Sequence, residues 1–208
     1  MTGRFITLEG GEGAGKSTQV RRLAAALVKK GVAAVTTREP GGSPGAEEIR
    51  GLLVNGAPGR WDALSETLLI YAARADHVKH VIGPALVAGT WVICDRFSDS
   101  TYAYQGAGRG LQRETIRRID AVVLDDFRPD LTLVLDLDVE TGLKRAGARG
   151  AAESRFENFD RDFHEKLRQA FLDIARRDPG RCAVIDAAQD EEAVAAAIWE
   201  AVTRRFGL

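Results

Sequence analysis

The sequence predicts an α/β fold, a five-stranded parallel sheet flanked by helices on both faces. Two observations predict it. Short apolar runs rich in β-branched residues alternate with longer segments of helical period, the order that parallel strands joined by helical crossovers require. The first of these runs enters a glycine-rich loop that opens directly into a helix, placing a ligand site at the carboxyl ends of the strands.

In chain order, residues 5–8 (Phe-Ile-Thr-Leu) form the first strand candidate, followed by 32–37, 91–94, 131–137 and 182–185. The helix over 17–30 sets Val20, Leu23, Ala24, Leu27 and Val28 near helical spacing, with Gly31 as its stop. Further helical patterns cover 45–54, 64–88, 113–126, 140–148, 159–177 and 191–206. The small-residue, arginine-bearing stretch 145–155 reads as a mobile loop.

Composition bounds the rest. The 208 residues suit one domain spanning 1–208, with 45% hydrophobic and 28% charged residues as in ordinary globular chains. Lys+Arg 29 against Asp+Glu 30 leaves a formal net charge of -1, which argues against nucleic acid or an anionic membrane as partner. Cys94 and Cys182 each lie in a short apolar run and read as buried free thiols of a reducing compartment. No apolar stretch approaches about 18 residues, and the polar glycine loop follows Glu9 too closely for a signal peptide. A cytoplasmic protein is expected.

Gly10-Gly11-Glu12-Gly13-Ala14-Gly15-Lys16-Ser17 matches G-x-x-x-x-G-K-[ST] between a strand-like run and a helix. Glycines let backbone N–H groups turn inward around phosphate oxygens, and the helix N-terminus adds partial positive charge. Lys16 is expected at the β- and γ-phosphates of ATP, and the Ser17 hydroxyl on Mg²⁺. The fold class is therefore the three-layer P-loop NTPase fold with a short lid near 145–157.

Asp95 ends the third strand where it would hold Mg²⁺ or a water on it, or help orient an acceptor, and Arg96 follows. An arginine there suits bidentate grip on an acceptor phosphate. Arg38 after the second strand and Arg74 on the long helix are expected on the same rim. Arg145, Arg149 and Arg155 sit where a closing loop would deliver positive charge to a transferring phosphoryl group. Neither a D-x-x-G switch nor an N-K-x-D base reader is present, which sets GTPases aside and leaves a phosphotransferase.

Several segments resemble bacterial thymidylate kinases. Thr37-Arg38-Glu39-Pro40-Gly41-Gly42 resembles that family's T-R-E-P-G-G, and Tyr71-Ala72-Ala73-Arg74 its base-facing helical segment. Asp95-Arg96-Phe97, Ser100-Thr101-Tyr102-Ala103-Tyr104-Gln105-Gly106 and Phe127-Arg128-Pro129-Asp130-Leu131-Thr132 resemble three further signatures. The resemblance implies ATP and Mg²⁺ on Gly10 to Ser17 with Thr18, adenine against Arg145, and Arg149 and Arg155 as lid arginines. It also implies dTMP phosphate at Arg38 and Arg96, thymine at Arg74, and Thr101, Tyr104 and Gln105 along the deoxyribose and base. Glu12 with the lid arginines resembles a bacterial subtype that lacks a phosphate-loop arginine. A homodimer is implied as well. Two positions depart from the family pattern. Ile70 stands where a stacking phenylalanine is usual, a loss on the order of 0.5–1.5 kcal/mol, and Phe97 replaces a polar aromatic.

The expected reaction is ATP + dTMP → ADP + dTDP. Two alternatives remain: a deoxynucleoside kinase using Glu39 as base, and a P-loop nucleotide switch acting through protein partners.

Overall fold

The computed structural model describes residues 3–55, 59–148 and 159–208. Five strands form one parallel sheet in the order β2-β3-β1-β4-β5: β1 (Phe5–Glu9), β2 (Ala34–Arg38), β3 (Trp91–Asp95), β4 (Leu131–Asp136) and β5 (Cys182–Asp186). Among the described residues the helices are α1 (Lys16–Lys29), α2 (Pro44–Val54), α3 (Ala63–His77), α4 (Gly83–Val87), α5 (Ser98–Thr101), α6 (Arg113–Leu124), α7 (Val139–Gly147), α8 (Arg161–Arg177) and α9 (Glu191–Phe206).

The sheet is buried between two helical layers. On one face Val20, Leu23 and Leu27 of α1 and Val194, Ile198 and Val202 of α9 pack on Ile6, Leu8, Leu133 and Leu135. On the other, Phe163, Leu167 and Phe171 of α8 cover Val134 and Cys182, while Phe5, Phe97 and Ile82 enclose Val92 and Cys94. Burying one such side chain contributes roughly 1.5–3 kcal/mol. Cys94 and Cys182 are free and buried, as the apolar runs predict.

Four of the helices described start on aspartate caps. Asp62, Asp138, Asp160 and Asp190 each accept a backbone N–H of the first turn of α3, α7, α8 and α9, an interaction worth about 1 kcal/mol apiece. The Asp160 cap explains why α8 begins at Arg161 instead of residue 159. The helix expected over 64–88 is interrupted by a π-helical turn, Val78–Ile82. Pro84 lacks an N–H and crowds the carbonyl four residues earlier, so the ladder widens ahead of it. Residues 98–108, which carry no helical pattern, form α5 and a second π-helical segment, Tyr102–Gly108. Glycines 106 and 108 mask it in the sequence, and packing against α8 supplies what propensity does not.

Register sets the site. Leu8 of β1 and Arg38 of β2 both lie opposite Asp95 of β3, so the carboxyl ends of the three strands share one edge. Among the described residues no helix is long and apolar enough to cross a membrane.

Candidate active site

That edge opens into a cleft of ≈ 390 Å³ bounded by the loop after β1, the ends of β2 and β3, α3 and the segment after β3. The loop 10–15 curls over the N-terminus of α1. Gly13 has φ 70, and a Cβ there would meet the Gly142 carbonyl oxygen at 1.9 Å, so loop and α7 touch backbone to backbone. Lys16 Nζ donates to the Gly10 and Gly11 carbonyls at 3.1 and 2.7 Å. Burial first, and then the neighbouring Arg96 guanidinium, lower its pKa to about 8. Ser17 Oγ donates to Asp95 Oδ2 at 2.6 Å at an exposed mouth.

Arg96 occupies the left-handed region at φ 70, a conformation that costs on the order of 1–3 kcal/mol outside glycine. Its neighbours hold it there. The Phe97 N–H donates to Glu9 Oε1 at 2.7 Å and Ser100 Oγ to Glu9 Oε2 at 2.6 Å. Burial, reinforced by Asp99, pushes the Glu9 carboxyl up to about 7. Arg96 donates to the Gly10 carbonyl at 3.0 Å and to Glu12 Oε1 at 2.9 Å. Tyr104 OH donates to the same oxygen at 2.6 Å, and its ring lies 4.8 Å from the guanidinium. Burial pushes the Glu12 carboxyl up, but Arg96 and then Lys16 outweigh it and bring the pKa to about 2. Glu12 is thus ionised and held against Arg96.

Arg74, 2% exposed, is the most enclosed cation of the cleft. Its guanidinium lies over the rings of Tyr71 and Phe97 at 4.6 and 5.1 Å. Nε donates to Glu39 Oε2 at 2.7 Å; Nη2 donates to the Phe97 carbonyl and Thr101 Oγ1 at 3.1 and 3.2 Å. Among the described residues Nη1 has no hydrogen-bond partner. A buried N–H left unpaired costs on the order of 1–3 kcal/mol, so a cleft-lining guanidinium with one unpaired nitrogen is a site for an acceptor atom of a ligand.

The structure brings Glu12, Gly13, Gly15, Lys16 and Ser17 into the same cleft as Arg38, Ile70, Arg74, Asp95 and Arg96, with Thr101, Tyr104 and Gln105. Gly10, Gly11 and Ala14 complete the loop, and Thr18 lies in the first turn of α1. Arg38 sits at the rim, both Glu47 oxygens accepting from its Nη2 at 3.1 Å. Gln105 Nε2 donates to Glu66 at 2.9 Å. Arg145 is not with this set: it is exposed on α7 and donates to the Ala187 carbonyl at 3.1 Å. Arg149, Arg155 and most of the expected lid lie outside the described residues. Tyr71 does not face the cleft; it backs Arg74 and donates its hydroxyl to Asp120 at 2.7 Å.

Glu39 does not stand free as a base. Arg74 holds one of its oxygens and His77 Nδ1 the other, at 3.1 Å. Sequence reasoning missed Glu9, Ser100 and His77. Glu9 left one signal, a charged residue closing an otherwise uncharged strand.

A glycine loop over a helix N-terminus, a serine–carboxylate pair beside it and arginines lining the same cleft define a P-loop phosphotransferase with an anionic acceptor. The thymidylate kinase family model matches residues 8–198. The chain is 57% identical over 206 residues to the thymidylate kinase of Caulobacter vibrioides, covering 99% of each. It is 52% identical to that of Magnetococcus marinus, covering 99% and 98%. The crystal structure of thymidylate kinase from Ehrlichia chaffeensis superposes with a TM-score of 0.80 at 36% identity, covering 98% of this chain and 99% of that one. The chain belongs to the thymidylate kinase family.

Proposed function

We propose that the protein phosphorylates dTMP to dTDP with ATP and Mg²⁺ for dTTP synthesis, and that the cleft is its active site. The observation that carries the acceptor assignment is Nη1 of the cleft-lining Arg74, a buried donor with no partner among the described residues. A thymine carbonyl is an acceptor that fits it. Phosphate oxygens of ATP meet the N–H groups of the loop 10–15, and Lys16 exchanges its carbonyl partners for them. Ser17 and Asp95 offer two hard oxygen donors at 2.6 Å from each other, which suits a cation that takes few protein ligands and keeps waters and phosphate oxygens. Bound there, Mg²⁺ supplies charge neutralisation between the phosphates.

Arg96 and Arg38 orient and neutralise the dTMP phosphate, while Thr101, Tyr104 and Gln105 line the sugar and base. The aliphatic wall of Leu53, Val54 and Ile70 supplies apolar contact in place of a stacking ring. A phosphate monoester is already anionic near neutral pH, with its second pKa near about 6, so transfer requires positioning and charge neutralisation more than a general base. Engagement of both Glu39 oxygens agrees with that. A nucleoside hydroxyl as acceptor would need the free base that Glu39 does not offer.

A single domain over 1–208 is supported by one continuous sheet, a homodimer by exposed Leu64 and Leu68 one turn apart on α3, and a cytoplasmic location by the free, buried thiols of Cys94 and Cys182. The test of function is ADP release with dTMP, thymidine and the other common nucleoside monophosphates, with Mg²⁺ present and then chelated. Turnover with dTMP and Mg²⁺ is expected, and turnover with thymidine alone would overturn the reading.

A further inference from the structure

From the cleft wall inward runs a chain of buried polar groups that the transfer chemistry does not touch. Glu39 Oε1 accepts from His77 Nδ1 at 3.1 Å, and His77 Nε2 meets Thr37 Oγ1 at 2.6 Å. A carboxylate can only accept, so Nδ1 carries a proton, and in the neutral ring Nε2 accepts from the Thr37 hydroxyl. His77 has no exposed surface. It lies three residues after Arg74 on α3, so both side chains leave the same helix face. Thr37 is in β2 and Glu39 just beyond it, so the chain ties α3 to the end of that strand.

The T-R-E-P-G-G stretch makes physical sense in this light. It supplies Thr37 and Glu39, and Gly42 at φ 93 closes over the pair. A Cβ on Gly42 would meet His77 Nε2 at 2.4 Å and Thr37 Oγ1 at 2.6 Å.

Arg74 has one nitrogen to spare only because its other two are fixed. Glu39 takes Nε, Phe97 and Thr101 take Nη2, and among the described residues Nη1 is left without a partner on a side chain that lines the cleft. Without a second partner Glu39 could rotate, and the guanidinium would follow it.

We infer that His77 is a positioning residue for acceptor recognition: through Glu39, and anchored on Thr37, it fixes the fork of Arg74 so that Nη1 presents to the base of the nucleoside monophosphate. The inference rests on the acceptor assignment above. It gives a residue that never meets substrate control over acceptor affinity.

The test is steady-state kinetics of His77→Leu, His77→Asn and Glu39→Gln beside wild type, with the melting temperature of each. His77→Leu should raise KM for dTMP by at least about tenfold, within the range expected when a buried hydrogen-bond partner is removed, while KM for ATP stays near wild type. His77→Asn keeps an N–H toward Glu39 and should recover most of the loss. If His77→Leu does not fold, Glu39→Gln decides by the same dTMP-against-ATP split. An unchanged KM for dTMP in a folded variant, an equal loss for both substrates, or a loss in kcat alone would overturn the inference. So would failure of His77→Asn to rescue. Wild type that turned over no dTMP would instead strike the acceptor assignment itself.

Discussion

A carboxyl group with no exposed surface, Glu9 accepts from the Phe97 amide and the Ser100 hydroxyl and so secures the turn that carries Arg96. Unfolded, it loses its proton near 4.5; burial moves that to about 7 in the folded protein. Between those values the folded state binds the extra proton, so the stabilisation present below pH 4.5 is lost as pH rises through 7. Glu9→Gln cannot ionise. In urea titrations the stability of wild type relative to Glu9→Gln should therefore fall from pH 4.5 to 7 and then level. A difference independent of pH would mean that the folded carboxyl titrates normally. Arg96 answers to a different test. Arg96→Ala should lower kcat/KM for dTMP by about 10²–10³-fold, the range seen when one donor to developing charge is removed, with the far-UV circular dichroism retained. Near wild-type kcat/KM would remove Arg96 from the site.

At the scale of elements, the loop 10–15 and α7 form one unit. The 1.9 Å approach that a Gly13 Cβ would make to the Gly142 carbonyl cannot be relieved by a side-chain rotation, because the obstacle is backbone. Gly13→Ala should separate α7 from the loop and weaken ATP binding at least about tenfold, a factor worth about 1.4 kcal/mol, as read by titration calorimetry. Unaltered ATP affinity would show that the contact does not shape the loop. The alternation of strand and helix, the phosphate loop and the arginines at strand ends were all legible in the sequence, because local period and motif spacing carry them. The π-helical turns were not, since Pro84 and the glycines at 106 and 108 read as breaks and tertiary packing decides otherwise. Nor was the Thr37–His77–Glu39–Arg74 chain, which joins residues up to 40 positions apart. Pairing of buried polar groups is a fact of tertiary structure, and Glu39 alone looked like a free base. Tyr71 looked like a base-facing ring for the same reason.

On the scale of the whole molecule, register converts a strand order into a site: β2, β3 and β1 end together, and each delivers a charged side chain to one edge. The outer surface has its own consequence. Leu64 and Leu68 are 43% and 51% exposed, and apolar residues one turn apart on a helix suit a partner face. Leu68→Glu should convert a dimer to a monomer in sedimentation velocity without loss of melting cooperativity. A wild-type monomer, or an undisturbed dimer in the variant, would contradict that assignment.

The most direct measurement is a crystal structure with ADP and dTMP bound. The thymine carbonyl should lie about 2.7–3.2 Å from Arg74 Nη1, with the dTMP phosphate facing Arg96 and the ADP phosphates within the loop 10–15. A dTMP molecule seated elsewhere, or one whose base leaves Nη1 without an acceptor, would contradict the account.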